Sequence, residues 1–282
     1  MRDSKTEKLE EFFSVLELMN LSDEYIVRKK GLIILISGLS GSNRTILAKE
    51  IERDFKLKLI SLEIYCRKEN TKQFEINSEI KVTDWEHIDV YDWDKFNEDV
   101  NKQKKKGIIV YGDYFPTFKL NFEPDFHIHI KVSKDKLIEK RKEYIENNPE
   151  DCAEMLEFVK TGKLELIINK ITYPYYLEYR DKSNIGKFVN ADKNTPDEMY
   201  DQIFDYIIFS MRKFLNEYYQ EHPNEKSPPA SPDINEDIKD KENKEDITSS
   251  SSIDLESSDM NDDESIELGT VEDEVAEARY FD

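Results

Sequence analysis

Residues 31–55 read GLIILISGLSGSNRTILAKEIERDF. Residues 32–36 form an unbroken apolar run, the pattern of a strand buried on both faces. A turn of mostly small residues follows: Gly38-Leu39-Ser40-Gly41-Ser42-Asn43-Arg44-Thr45. Ile46, Leu47, Ile51 and Phe55 then recur at helical spacing. Strand, Gly/Ser loop and helix in that order can cradle an anion, because loop N–H groups and the helix N-terminus converge on it. The phosphate-loop pattern G-x-x-x-x-G-K-[ST] is met at Gly38 and Thr45, with Asn43 in place of the second glycine and Arg44 in place of the lysine.

Outward from this stretch, strands alternate with helices. Residues 7–20 place Leu9, Phe12, Phe13, Leu16 and Met19 on one helical face. Residues 57–65 are a second apolar run with Glu63 near its end, where ligands of open α/β sheets gather. Residues 66–83 read as a loop or small hairpin. A dense acidic and aromatic run, 84–93, leads into a helix over 93–105 that Gly107 ends. Strands are expected at 107–111, 126–132 and 188–190. Helices are expected at 134–146, capped by Ser133, over 147–170 and at 196–217. This alternation predicts an α/β fold, a parallel sheet of about five strands covered by helices on both faces. His127 and His129 share one face of their strand; with no third ligand nearby they read as strand or core histidines rather than a metal pair.

Charge divides the chain. From residue 222 onward there are 20 acidic against 5 basic residues, which is −15 of the net −21 and leaves −6 for the rest. The domain organisation expected is an N-terminal helix in 1–30, a domain over 31–217 and a disordered, acidic, Ser-rich tail over 218–282. Within the tail, serines precede acids over residues 248–259, a pattern that suits acid-directed kinases; the plainer reading is a solubilising segment. The body has no extended basic patch, so no nucleic-acid partner is expected. No apolar run reaches the roughly 18 residues of a membrane span. Cys66 and Cys152 form neither a disulfide framework nor a zinc pattern. With no signal-peptide pattern at the start, the cytoplasm is expected, the nucleus being the other option.

Five stretches in order resemble the uridine kinase and phosphoribulokinase family, including its nicotinamide riboside kinase branch. They are Gly38 to Thr45; Ile60-Ser61-Leu62-Glu63-Ile64-Tyr65; Asp84-Trp85-Glu86-His87-Ile88-Asp89-Val90-Tyr91-Asp92; Ile109-Val110-Tyr111-Gly112; and Tyr173 to Asn190. The resemblance covers about residues 31–210 and implies a P-loop NTPase fold that transfers the γ-phosphoryl of ATP to a sugar hydroxyl of a nucleoside, with Mg²⁺. It implies that Gly38, Ser40, Gly41, Ser42, Asn43 and Arg44 hold phosphates and that Thr45 and Glu63 meet the metal. Glu63 and Asp113 would be the catalytic carboxylates. His87, Asp89 and Tyr91 would line the nucleoside site, and Arg141 would be a lid cation.

Departures from the family gather at the chemistry. Arg44 is longer and wider than lysine. Tyr111 stands where the family has an acid, with Asp113 two residues on and able to compensate. Glu63 extends the family's Asp by one methylene. Two functions follow: a nucleoside kinase-like phosphotransferase, or a domain that keeps the fold as a nucleotide-binding or protein-interaction module, its acidic tail facing a partner.

Overall fold

Ile33–Ser37 (β1) is buried along its whole length, as its apolar run requires. It sits at the centre of a parallel five-stranded sheet ordered β2-β5-β1-β6-β7. The others are β2 (Lys58–Ser61), β5 (Ile108–Gly112), β6 (Phe126–Lys131) and β7 (Lys187–Asn190). β1 pairs with β5 from Ile33↔Ile108 to Ser37↔Gly112, and with β6 from Ile34↔Phe126 to Ser37↔His129. The structure is a computed structural model and describes residues 18–78, 80–150 and 152–225. The helix expected at 7–20 falls largely outside the described residues, as does the acidic tail beyond 225.

Alternation along β1 sorts the helices. Leu32, Ile34 and Ile36 pack with a helix over 18–29 (α1), α2 (Arg44–Phe55) and α8 (Pro196–Glu221). Ile33 and Leu35 pack with α3 (Trp93–Gln103) and Tyr179 of α7 (Tyr173–Asp181). Both faces are therefore covered, as a parallel sheet demands. A third apolar cluster lies beside the loop: Leu39 packs with Leu137 and Ile145 of α4 (Lys134–Asn147), Met155 of α5 (Ala153–Lys160) and Leu164 of α6 (Lys163–Ile167). A π-helical turn, Ile168–Thr172, joins α6 to α7.

Two sequence expectations change at element ends, and the small hairpin expected within 66–83 is present. The apolar run 57–65 is a strand only as far as Ser61. Its remainder, Leu62–Tyr65, is a 3-10 turn, because the Ser61 hydroxyl accepts the Glu63 N–H at 3.2 Å. Residues 72–84 form an antiparallel hairpin, β3 (Lys72–Glu75) and β4 (Lys81–Asp84). The helix from Trp93 tightens into a 3-10 turn at Lys104–Lys106 before Gly107. None of the described helices is long and apolar enough to cross a membrane.

Candidate nucleotide site

The loop after β1 is held by its own backbone. Gly38 donates to the Gly112 carbonyl at 3.1 Å, and Ser42 donates to the Leu39 carbonyl at 3.0 Å. Gly41 has φ +95, and Asn43 is left-handed at φ 67 and ψ 12. Asparagine tolerates that region better than most residues, so Asn43 suits the turn. α2 then starts with no side-chain cap and no acid in its first turn, so its amide dipoles face the loop without a competing anion.

Arg44, the next residue, turns inward. It is 7% exposed, and its Nη1 donates to the Gly38 carbonyl at 2.7 Å. Nη1 also donates to Asp113 Oδ1, and Nη2 donates to Glu63 Oε1. Glu63 is 4% and Asp113 3% exposed; the other oxygen of Glu63 accepts from the Ser61 hydroxyl. Burial opposes the Arg44 charge, but Asp113 and then Glu63 outweigh it and hold the guanidinium above its ordinary pKa. The guanidinium carbon lies 6.0 Å from the Tyr111 ring centroid. Arg44, Glu63, Tyr111 and Asp113, all singled out by sequence, thus form one packed unit.

A cavity of about 410 Å³ opens on the loop, within the size range of small-molecule sites. Ser40, Gly41, Asn43, Arg44 and Thr45 line one side; Lys140, Arg141 and Tyr144 of α4, with Met155 and Leu164, line the other. Arg141 is buried, and its Nη1 lies 3.7 Å from Glu86 Oε1, which also accepts from the Thr172 hydroxyl at 3.0 Å. Arg141, Met155 and Leu164 also border a second cavity of about 250 Å³, with Gln73, Thr83, Trp85 and Glu86.

None of the three residues expected to line a nucleoside site, His87, Asp89 and Tyr91, lines the loop cavity. Asp89 and Tyr91 line a third, open depression that shares no lining residue with the loop cavity. The cause is local: the 3-10 turn Ile88–Val90 buries Ile88 and Val90, which sends Asp89 outward to Lys119 at 2.9 Å. His87 caps that turn through Nδ1, which accepts the Asp89 N–H at 3.2 Å. Glu86, beside them in sequence, faces the loop side instead, and sequence reasoning passed it over; Lys140 and Tyr144 were missed as well. The available signal was a helical one, since residues 140, 141 and 144 share a face.

Beneath the loop, β1 and β6 share a buried polar chain. Ser37 Oγ lies 2.8 Å from both His127 Nε2 and His129 Nδ1. His127 Nδ1 donates to the Asn184 carbonyl at 3.1 Å, so its Nε2 accepts from Ser37. His129 then donates to Ser37, and its Nε2 accepts from the Tyr176 hydroxyl at 2.9 Å. Every member is satisfied with both rings neutral. They are core histidines, and the described residues contain no group of three or more acid, His or Cys side chains placed to hold a metal.

Burial lowers His127 to about 4, and burial with the charges of His127, Arg180 and Lys131 lowers His129 to about 3. Both folded values lie below the unfolded value of about 6.5, so the unfolded chain gains protons first as pH falls. The contribution is complete above pH 6.5 and is lost on descending towards pH 4, at about 1.4 kcal/mol per unit per ring. Urea midpoints measured from pH 7 to 4.5 should therefore fall, by about 3–5 kcal/mol in stability. A flat profile over that range would sink the reading.

The residues fit the phosphates of ATP. The first turn of α2 has no side-chain cap and no acid, and Ser42 Oγ is buried without a hydrogen-bond partner. They do not fit Mg²⁺: both nearby acids already receive hydrogen bonds from the one guanidinium.

No protein-family model matches the chain, and no curated protein does. Among solved structures, a gluconokinase from Sinorhizobium meliloti 1021 is similar at 12% identity and TM-score 0.37, covering 68% of this chain and 98% of its own. A shikimate kinase from Bacteroides thetaiotaomicron is similar at 14% identity and TM-score 0.35, covering 63% of this chain and 98% of its own. At these identities and TM-scores the likenesses bring neither a family nor a substrate with them. With a parallel β2-β5-β1-β6-β7 sheet covered by helices on both faces and a Gly/Ser loop between β1 and α2, the chain has the α/β fold expected from its sequence.

Proposed function

We propose that this chain is a kinase-like P-loop protein that holds the phosphates of a nucleotide such as ATP at the loop cavity, on the uridine kinase plan, with phosphoryl transfer held back. The observation that carries the reading is the clamped Arg44. The loop keeps its cradle, while the two carboxylates that transfer would need are engaged by one internal cation. Phosphoryl transfer rests on positioning and charge neutralisation, and the two oxygens of Glu63 already accept from Arg44 and Ser61, in competition with a substrate hydroxyl. Isothermal calorimetry should detect ATP binding. Lys140→Glu, on the exposed cavity wall, should weaken that binding about tenfold, the worth of one charge-assisted hydrogen bond. Unchanged affinity in that variant would move the site elsewhere.

A second reading is an active phosphotransferase on a nucleoside such as uridine, cytidine or nicotinamide riboside. What favours it is that Glu63 and Asp113 still sit beside the loop at the ends of β2 and β5. On that reading the acceptor occupies the cavity of Trp85 and Glu86, next to Arg141. Nucleoside-dependent ADP release at the usual kinase rates of about 1–100 s⁻¹ would establish it over the first. On composition alone, the acidic tail is the segment proposed to meet a protein partner, and the cytoplasm the place of action.

A further inference from the structure

Mg²⁺ is the cation that the family resemblance brings with ATP, and it needs hard oxygen ligands in near-octahedral array. The acids nearest the loop are Glu63 and Asp113, and Arg44 donates to both. A divalent ion bound there would either displace the guanidinium or share its carboxylates with it. Displacement strands a cation that is 7% exposed, at a cost of several kcal/mol. Sharing sets two cations within a few ångströms in a low-dielectric site.

We infer that Arg44 excludes a divalent cation from the Glu63–Asp113 pair, so that the protein supplies no carboxylate to a metal at its loop. The consequence for ligand binding follows by linkage. A metal raises nucleotide affinity only as far as the protein holds the metal better in the complex than water does. With both carboxylates engaged, ATP and its magnesium complex should bind within about threefold of each other. This consequence rests on the nucleotide reading above; the exclusion of metal does not.

The test has two arms. In the first, Mn²⁺, a spin-active stand-in for Mg²⁺, is titrated into full-length protein without nucleotide and followed by electron paramagnetic resonance. Wild type should show no site. Arg44→Lys keeps the charge and the fold, but one ammonium cannot span both carboxylates in the fork geometry, so this variant should gain a Mn²⁺ site at least tenfold tighter than wild type. The added substitution Glu63→Gln should remove it. A wild type that binds Mn²⁺ and loses it on Glu63→Gln overturns the inference. Equal absence of binding in wild type and Arg44→Lys also overturns it, because Arg44 is then not what excludes the metal. In the second arm, ATP affinity is measured with Mg²⁺ and with chelator. A tenfold or larger gain from Mg²⁺ in wild type counts against the inference, whereas a complete lack of ATP binding defeats only the nucleotide reading and leaves the first arm to decide.

Discussion

Arg44→Met should lower the stability of the folded domain by about 3–5 kcal/mol, the usual cost of removing one partner from a buried ion pair. Methionine fills much of the arginine's volume, so the loss is electrostatic rather than a cavity. Glu63 and Asp113, at 4% and 3% exposure, are left as neighbouring buried anions without their cation, and the Gly38 carbonyl loses a donor at 2.7 Å. Against a typical total of about 5–15 kcal/mol, this places the domain near the edge of folding at 37 °C. Urea denaturation followed by the two tryptophans reads the change directly. The three sites share one network, so their effects are coupled. In the Arg44→Met background, Glu63→Gln with Asp113→Asn should recover most of the loss, since no unpaired charge remains. A single-variant cost under about 1 kcal/mol would mean that the cluster is hydrated and carries little of the fold.

The same cluster joins the start of α2, the turn after β2 and the end of β5, three segments distant in sequence. A buried ion pair is weak evidence for net stability; its firmer consequence here is positional. Arg44 fixes the first turn of α2 against the sheet, and Tyr111 lies against the guanidinium where a third acid would have enlarged the negative charge. Glu63, one methylene longer than aspartate, accepts from both Arg44 and Ser61. Residues that look like separate departures from a pattern in sequence are thus mutually compatible in packing.

The sheet was legible because its central strands are apolar runs and several of the helices carry a periodic stripe. Strand ends were less so. In residues 57–65 the apolar run continues past the strand, since Leu62 and Tyr65 stay buried within a 3-10 turn, and hydrophobicity does not separate the two. Four residues named from sequence, Gly38, Arg44, Glu63 and Asp113, come together, so their proximity was legible. The direction of Arg44 was not, because spacing fixes the position of Cα and leaves open whether a long side chain points into the cavity or back into the sheet. The side-chain directions within the run 84–92 were not legible either. A short 3-10 turn puts Glu86 towards α4 and Asp89 towards Lys119, and a helical turn of three residues leaves no periodic signal from which to choose.

Gly38→Ala should abolish nucleotide binding, by about 100-fold or more, while lowering stability by about 1–3 kcal/mol, the range for overpacking. A Cβ there would lie 2.7 Å from Ser42 Oγ, 2.9 Å from the Ile130 carbonyl and 3.1 Å from Ile130 Cβ. Ile130 cannot retreat easily, because its strand pairs with β1 on one side and with β7 on the other. The loop must move instead, and with it the hydrogen bond from Gly38 to the Gly112 carbonyl. Displacement of about 1 Å in a positioned site costs roughly two orders of magnitude. Two further variants separate the causes. Gly38→Ala with Ser42→Gly removes the hydroxyl contact yet keeps the clash with the Ile130 carbonyl, so binding should stay lost. Gly162→Ala meets no atom within 4 Å at φ +72; its backbone strain of about 1 kcal/mol should appear in stability and leave ATP affinity unchanged. If Gly38→Ala binds ATP within threefold of wild type, the cradle between β1 and α2 is not where the phosphates rest.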